Sequence, residues 1–166
     1  WLSAEELLVL HSVEAALNRL YNSGRFRRTL RYLLQVTGEA PFSLLRRFAA
    51  DTAAAATATM SLDDYTALIF THFSARPGVD KTVLRDTMVC DRLATNASGK
   101  LPPVLRIQDT ALKKAIRKAK EAFPPAPGRR RGYALLYSVP CLVFAEYGHR
   151  DRVTGEYPLT RLHFDL

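Results

Sequence analysis

The side chains that could carry out chemistry are few and widely spaced in this sequence of 166 residues. It has no Gly-rich phosphate loop and no nucleophile elbow. No metal-ligand spacing joins the two cysteines and four histidines, which are Cys90, Cys141, His11, His72, His149 and His163. Both cysteines stand beside apolar residues, which predicts buried, reduced thiols. The sequence therefore indicates no catalytic, cofactor-binding or metal site in this chain.

The cluster His149-Arg150-Asp151 has residue types that serve in catalysis. It begins a polar run that ends at Gly155, and such runs are typical of turns. We therefore interpret the cluster as the solvated tip of a hairpin. His11 and His72 each flank an apolar helical stripe, so we interpret them as residues at the edge of a core.

The positive charge of the chain is concentrated in one segment. The formal net charge is +8, yet residues 1–80 hold eight basic and eight acidic side chains. Residues 100–131 hold ten basic and two acidic side chains. Such a local excess is typical of a surface that binds RNA or an acidic partner, although a solvated helix face has the same composition. The candidate contact residues are Lys113, Lys114, Arg117, Lys118, Arg129, Arg130 and Arg131.

Two tyrosines follow the arginine run and bear on the RNA hypothesis. Tyr133 and Tyr137 are expected on one predicted strand. Recognition of single-stranded RNA commonly uses exposed aromatic side chains on which bases stack. If both rings are exposed, they provide a stacking platform beside the basic segment.

Residues 1–123 have the periodicity of helices. Ser3 and Glu6 form a capping box for a first helix that is predicted to end near Asn22. Its predicted buried face consists of Leu7, Leu10, Val13, Leu17 and Leu20. Further helices are predicted from about Arg25 to Gln35, from Pro41, from Leu62, from Lys81 to about Thr95, and over Thr110–Phe123. The predicted inner stripe of the third helix is Phe42, Leu45, Phe48, Ala49, Thr52, Ala53 and Ala56.

The pattern becomes extended after the proline-rich break at residues 124–128. Segments rich in β-branched and aromatic residues predict strands at Gly132–Ser138, Cys141–Tyr147 and Tyr157–Phe164. The predicted buried face of this meander is Leu136, Leu142, Phe144, Leu162 and Phe164. We predict a single α+β domain over residues 1–166, with about six helices in residues 1–123. A three-stranded antiparallel meander in residues 132–165 packs on them.

The densest motif of the helical part is Tyr21-Asn22-Ser23-Gly24-Arg25-Phe26. Its Asn, Ser and Gly residues favour a turn that ends one amphipathic helix before the next begins. We interpret Tyr21, Asn22, Gly24, Arg25 and Phe26 as a structural motif around which the other helices pack.

Asp91 is expected on or near the apolar side of the fifth helix. Because an unpaired buried carboxylate is strongly destabilising, it needs a cationic partner. We predict that Asp91, or failing that Asp86, ties this helix to the Asn22–Arg28 region. The candidate donors are Arg25, Arg27 and Arg28.

The Tyr21–Phe26 motif and the segment Leu84-Arg85-Asp86…Cys90-Asp91-Arg92-Leu93 also resemble a known family. The chain is similar to the uncharacterised C-terminal domain of bacterial cobalamin-binding radical SAM proteins, which are Fe–S oxidoreductases. This resemblance implies an accessory domain, from Leu2 to about Leu166, that follows a radical SAM core in the same chain. It implies a parent enzyme that uses a 4Fe–4S cluster, S-adenosylmethionine and cobalamin. The three-cysteine motif and the Asp-x-His-x-x-Gly motif that hold these groups are not in this sequence, so no cofactor residue carries over.

These observations lead to two expectations for function. The first is a non-catalytic domain that shapes the active site of a radical SAM enzyme or recruits its substrate or partner. The alternative is an RNA-binding module that uses the basic segment 100–131. The chain begins with Trp1, so we expect a fragment of a longer protein, and we expect it in the cytoplasm and not in a membrane.

Overall fold

The computed structural model describes residues 3–56 and 59–163. In these residues, six α-helices precede a three-stranded antiparallel sheet, which confirms the predicted α+β class. The helices are α1 Ala4–Ala16, α2 Arg27–Thr37, α3 Pro41–Thr52, α4 Leu62–Ser74, α5 Lys81–Thr95 and α6 Thr110–Ala122. The strands are β1 Arg130–Leu136, β2 Cys141–Tyr147 and β3 Leu159–Leu162. The chain divides into two compact units, unit 1 (residues 1–84) and unit 2 (residues 85–166).

In unit 1, α1 begins at the predicted capping box. The Glu6 amide donates to Ser3 Oγ at 3.2 Å, and the Ser3 amide donates to the Glu6 carboxylate at 2.7 Å. A π-helical segment, Leu17–Asn22, continues α1 without a break. The first helical stretch therefore ends at Asn22, as predicted.

The predicted buried face of the first helical stretch is only partly correct. Val13 and Leu20 are buried, but Leu7, Leu10 and Leu17 are exposed. In unit 1, α1 packs against α3 on the side of Val13 and Ala16. Leu10 and Leu17 lie three and four residues from Val13, so they stand at the edge of the buried side, where α3 does not cover them.

Aromatic side chains form much of the core of unit 1. Phe48 stacks on Phe73 with ring centroids 5.4 Å apart, and Tyr65 meets both Phe26 and Phe48 edge to face at 6.1 Å. Leu33 and Ile69 are fully buried in the same unit. The aromatic pairs join residues from α3 and α4, so these helices form one packed layer.

The third helix departs from its predicted inner stripe at both ends. Phe42 is exposed at the first turn, where Pro41 begins the helix. Ala53 and Ala56 are also exposed, because α3 ends at Thr52. Near this end, Thr52 Oγ1 donates to the Phe48 carbonyl at 2.6 Å.

Unit 2 contains the sheet, whose order is β1-β2-β3. β2 has its predicted bounds, whereas β1 is shifted two residues earlier and β3 is shorter than predicted. β1 ends at Leu136, because the next two backbone amides donate to a side chain of α5 instead of to a strand. The predicted core residue Phe164 lies outside the described residues.

Helix α6 packs on this sheet. Its Ala115 and Ala119 form a buried cluster with Leu135 of β1 and Leu142 of β2. The small alanine side chains allow the helix to approach the sheet closely. This packing leaves the opposite side of α6 in solvent.

Candidate functional site

The Tyr21–Phe26 motif is a turn whose buried half is structural. Gly24 has a φ of +68°, a left-handed conformation that favours glycine. Asn22 Nδ2 donates to Asn18 Oδ1 at 2.8 Å, and Ser23 Oγ donates to the Arg19 carbonyl at 2.7 Å. Phe26 is buried against Tyr65. These contacts fix the change of direction between the π segment and α2.

Arg19, which lies in the π segment, strengthens this region. Its Nη2 donates to the Met60 carbonyl at 2.7 Å, and its guanidinium lies 4.1 Å from the centre of the Tyr65 ring. Burial raises the pKa of Tyr65 to about 12, although the Arg19 charge acts in the opposite direction. The neutral phenol ring is therefore a stable partner for the cation.

The other half of the motif is exposed. The side chain of Tyr21 is 59% exposed, and Asn22 and Arg25 are also exposed. Tyr21 continues a row of exposed leucines at helical spacing along α1 and the π segment. We call this row the outer stripe, and it consists of Leu7, Leu10, Leu17 and Tyr21. The motif thus combines a structural turn with an accessible apolar edge.

Asp91 is only 1% exposed, so its expected position on the apolar side of α5 is confirmed. Its contact with an arginine of the Arg25–Arg28 region stays a prediction. Asp86 has other partners than the ones predicted for it. Its carboxylate accepts from Arg85 Nη1 at 2.8 Å, and from the Tyr137 amide, the Ser138 amide and Ser138 Oγ at 2.7 Å each.

Arg85 completes a buried polar junction in unit 2. Its Nε donates to the Leu105 carbonyl at 3.1 Å, and its Nη1 donates to the Leu135 carbonyl at 2.6 Å. The guanidinium also lies 5.3 Å from the centre of the Tyr137 ring. Sequence reasoning missed this junction, because the partners are about 20 and 50 residues away along the chain. The adjacent opposite charges of Arg85 and Asp86 on a mostly apolar helix were the available signal.

The basic candidates on α6 have different environments. The side chains on the outer face of α6 are exposed, and these are Lys113, Lys114, Arg117 and Lys120. Lys118 is half-buried at the edge of this face. We call the four exposed residues the basic face. It is the solvent side of an amphipathic helix whose other side packs on the sheet.

Arg129, Arg130 and Arg131 contact other residues of unit 2. The side chain of Arg131 is 8% exposed, and its Nε donates to Glu146 Oε2 at 2.7 Å. Its Nη1 donates to the Phe123 carbonyl at 2.6 Å. Arg130 reaches the Ala97 carbonyl at 3.4 Å, and an Arg129 nitrogen lies 3.5 Å from His149 Nε2. Arg131 is therefore a structural residue, while Arg129 and Arg130 are exposed.

Tyr133 and Tyr137 do not form the exposed stacking platform that the RNA hypothesis could use. Tyr133 and Tyr137 are both half-buried and pack against the cluster between α6 and the sheet. The Tyr133 ring centre is 5.6 Å from that of Phe144. The Tyr137 hydroxyl donates to Asp109 Oδ2 at 2.8 Å. Burial and this hydrogen bond raise the pKa of Tyr137 to about 12.

The hairpin tip is a hydrogen-bonded turn, as predicted. Asp151 Oδ1 accepts from the amides of Val153 and Thr154 at 2.9 and 2.7 Å. These hydrogen bonds hold the pKa of Asp151 below its ordinary value. One oxygen of this carboxylate, Oδ1, therefore stabilises the loop.

Both cysteines are buried and neither forms a disulfide with a described residue, which confirms the prediction. Burial raises the pKa of the Cys141 thiol. Within residues 3–56 and 59–163, no group of three or more His, Cys, Asp and Glu side chains is placed to hold a metal ion. Two buried thiols about fifty residues apart do not fit a 4Fe–4S cluster, which needs a set of accessible cysteine thiolates.

A protein-family model matches residues 1–123, and its description is Protein of unknown function (DUF4080). The chain belongs to this family. No curated protein and no solved structure gives a significant match.

The DUF4080 match contains all six helices, the outer stripe, the Tyr21–Phe26 motif and the basic face. The strands of unit 2 lie beyond its end. In the part of the chain that the structure describes, no helix has the length and apolarity needed to cross a bilayer.

Proposed function

We propose that this DUF4080 chain is a non-catalytic C-terminal accessory domain of a cobalamin-dependent radical SAM enzyme. It docks on the radical SAM core of the same chain through the outer stripe. The observation that carries this proposal is the exposure of Leu7, Leu10, Leu17 and Tyr21 along a helix whose adjacent side, with Val13, Ala16 and Leu20, is buried.

The outer stripe has the geometry of a helix-packing surface. Its members are separated by three, seven and four residues, a spacing that keeps them close to one side of a helix. Single exposed leucines are ordinary on protein surfaces, but several exposed apolar side chains along one helix are typical of an interaction site. The exposed Glu14 lies four residues after Leu10 and three before Leu17, so it divides the outer stripe into two pairs. A helix whose apolar residues extend beyond its buried side is normally covered there as well. The expected cover is a helix or sheet face of the core.

The resemblance assigns the cofactors to the core of the parent enzyme. That core supplies the 4Fe–4S cluster, S-adenosylmethionine and cobalamin. The accessory domain contributes by covering the active site or by recruiting the substrate or partner.

Two measurements test the proposal separately. The parent protein, purified without oxygen, should show both iron–sulfur and corrinoid absorption bands. If these bands are missing, the radical SAM context is wrong. Docking is tested by size-exclusion chromatography of the 166-residue chain mixed with the radical SAM core as a separate polypeptide.

The docking test has a matched control in the same chain. We expect the wild type to co-elute with the core, and Leu10→Glu with Leu17→Glu to abolish co-elution, because two charges cannot be buried in an apolar interface. Val153→Glu should have no effect, since Val153 is 93% exposed on a loop of unit 2. If the leucine variants co-elute like the wild type, the outer stripe is not the docking surface.

RNA binding is a second candidate, supported by the four cations that share the exposed basic face of α6. Such a site predicts an RNA affinity that falls steeply with salt. Changing Lys113, Lys114, Arg117 and Lys120 to Ala should then remove this affinity. The half-buried tyrosines provide no stacking platform, so this candidate ranks below docking.

A further inference from the structure

Unit 2 contains a cavity of about 280 Å³ that none of the proposed functions uses. It lies beside the start of α6 and the end of β1. Its apolar lining includes Leu101, Ile107, Leu112 and Leu135, and its polar lining includes Arg85, Arg106, Asp109, Tyr133 and Tyr137. Apolar walls with a few polar groups are typical of small-molecule sites, and this volume suits a compact ligand.

The oxygen atoms around this cavity already accept hydrogen bonds from protein donors. Asp109 Oδ1 accepts from the Ala111 amide, and its Oδ2 accepts from the Tyr137 hydroxyl, both at 2.8 Å. The Leu135 carbonyl accepts from Arg85, and the Leu101 carbonyl accepts from Arg106 Nε at 2.7 Å. Each of these oxygens therefore already accepts one hydrogen bond from the protein, which leaves it one further lone pair.

Three side chains around the cavity also have hydrogen-bond donors without a described protein partner. The Tyr133 hydroxyl is buried and has no hydrogen-bond partner among the described residues. Arg85 is 6% exposed, and its three hydrogen bonds use Nε and Nη1, which leaves Nη2 without a described partner. Arg106 uses only Nε in the described part of the chain. Of these donors, only the Tyr133 hydroxyl is both buried and unpartnered, and a missing acceptor is the simplest explanation for it, because buried donors are normally satisfied. The remaining Arg85 and Arg106 nitrogens are accessible to solvent and therefore to a ligand.

We propose that this cavity binds a small organic carboxylate with a compact apolar body. The carboxylate accepts hydrogen bonds from the guanidinium groups of Arg85 and Arg106 and from the Tyr133 hydroxyl. The apolar body rests on Leu101, Leu112 and Leu135. The inference does not depend on the docking proposal, since the outer stripe lies in unit 1 and the cavity lies in unit 2.

The test is a nitrogen-15 NMR titration of the 166-residue chain with three isosteric probes. Benzoate carries the proposed carboxylate, benzamide is its neutral counterpart, and benzamidine is its cationic counterpart. We expect benzoate to shift the amides of Gly99, Leu101 and Leu112 saturably, benzamide to bind more weakly, and benzamidine not to bind. Tyr133→Phe should weaken benzoate binding about fivefold, the loss of one hydrogen bond.

A matched control separates this site from general effects of losing a tyrosine hydroxyl. The Tyr147 hydroxyl is also buried without a described partner, but Tyr147 does not line the cavity. Tyr147→Phe should therefore leave benzoate binding unchanged. Arg106→Gln, at an exposed position, should weaken it without unfolding the chain.

Several outcomes would overturn the proposal. Benzoate that causes no saturable shift excludes a carboxylate site. Benzamidine that binds as well as benzoate contradicts the donor-lined chemistry. Shifts confined to Lys113 and Lys114, unaffected by Tyr133→Phe, mean that benzoate binds the basic face of α6 instead.

Discussion

The carboxylate of Asp86 accepts four hydrogen bonds, and it is buried together with Arg85. Three of the donors lie at the turn that follows β1, so one side chain of α5 fixes the end of a strand. A buried pair of this kind gives little net stabilisation over an apolar pair, but removing one charge is strongly destabilising. Asp86 therefore matters for stability mainly because its loss would leave Arg85 buried without a counter-charge.

We predict that Asp86→Asn lowers the free energy of unfolding by about 3–5 kcal/mol. The amide leaves Arg85 without its counter-charge and turns an NH₂ group toward other donors. Urea denaturation followed by circular dichroism measures the change. Glu121→Gln, an exposed loss of charge on α6, should change the free energy of unfolding by less than about 0.5 kcal/mol. Equal effects of the two substitutions would show that the junction does not stabilise unit 2.

At the scale of elements, local signals determine what the sequence can predict. The bounds of α5 are predicted correctly, because Asp80 caps it with hydrogen bonds to the amides of Thr82 and Val83 at 2.7 and 3.1 Å. The outer stripe could not be predicted in this way. Periodicity shows that Leu7 and Leu10 share a side of the helix, but not which side the rest of the unit covers.

The candidate sites show the same limit. Turn chemistry at Asp151 and the cap at Asp109 are local and were predictable. The Arg85–Asp86 junction and the donors of the cavity depend on contacts between residues far apart in the sequence. Composition could not distinguish Arg131 from Arg130. The difference comes from the register of β1 with β2, which places Arg131 opposite Glu146.

Strand β1 includes a close approach that requires glycine. A Cβ atom on Gly132 would lie 2.5 Å from Tyr147 Oη and 2.8 Å from Gly99 Cα. We predict that Gly132→Ala lowers the free energy of unfolding by about 1–3 kcal/mol, because the backbone of the 99 loop must shift. Thermal denaturation measures the effect. Gly148→Ala is the control, since the three nearest atoms to its Cβ would belong to the movable guanidinium of Arg129. A Gly132→Ala variant as stable as Gly148→Ala would contradict the close approach.

At the scale of the whole molecule, charge and packing are unevenly distributed. Unit 1 has nine basic and eight acidic residues, whereas unit 2 has fifteen and eight. Electrostatic attraction of an anionic ligand or polymer is therefore expected from unit 2, and apolar docking from unit 1. The stability of unit 1 should depend on pH for a separate reason, which is the burial of one histidine.

His72 packs edge to face against Phe48 and Phe73, with centroids 5.2 and 4.7 Å away. Burial lowers its pKa from 6.5, and Arg76 acts in the same direction, while Asp51 at 3.9 Å opposes them. The folded state therefore binds the proton less well than the unfolded state does. The contribution of neutral His72 to the free energy of unfolding is complete above about pH 6.5. This contribution is lost as the pH falls through that value toward the lower pKa of His72 in the folded state.

Urea denaturation of wild type and His72→Gln between about pH 5 and 8 measures this dependence. We expect the difference in unfolding free energy between the two proteins to shrink as the pH falls, because only the wild type must bury a group that tends to protonate. His11→Gln is the control for the loss of a histidine from unit 1, since the His11 side chain is 75% exposed. A constant difference between wild type and His72→Gln would mean that His72 protonates equally well in both states, and the burial of its ring would then have no electrostatic consequence.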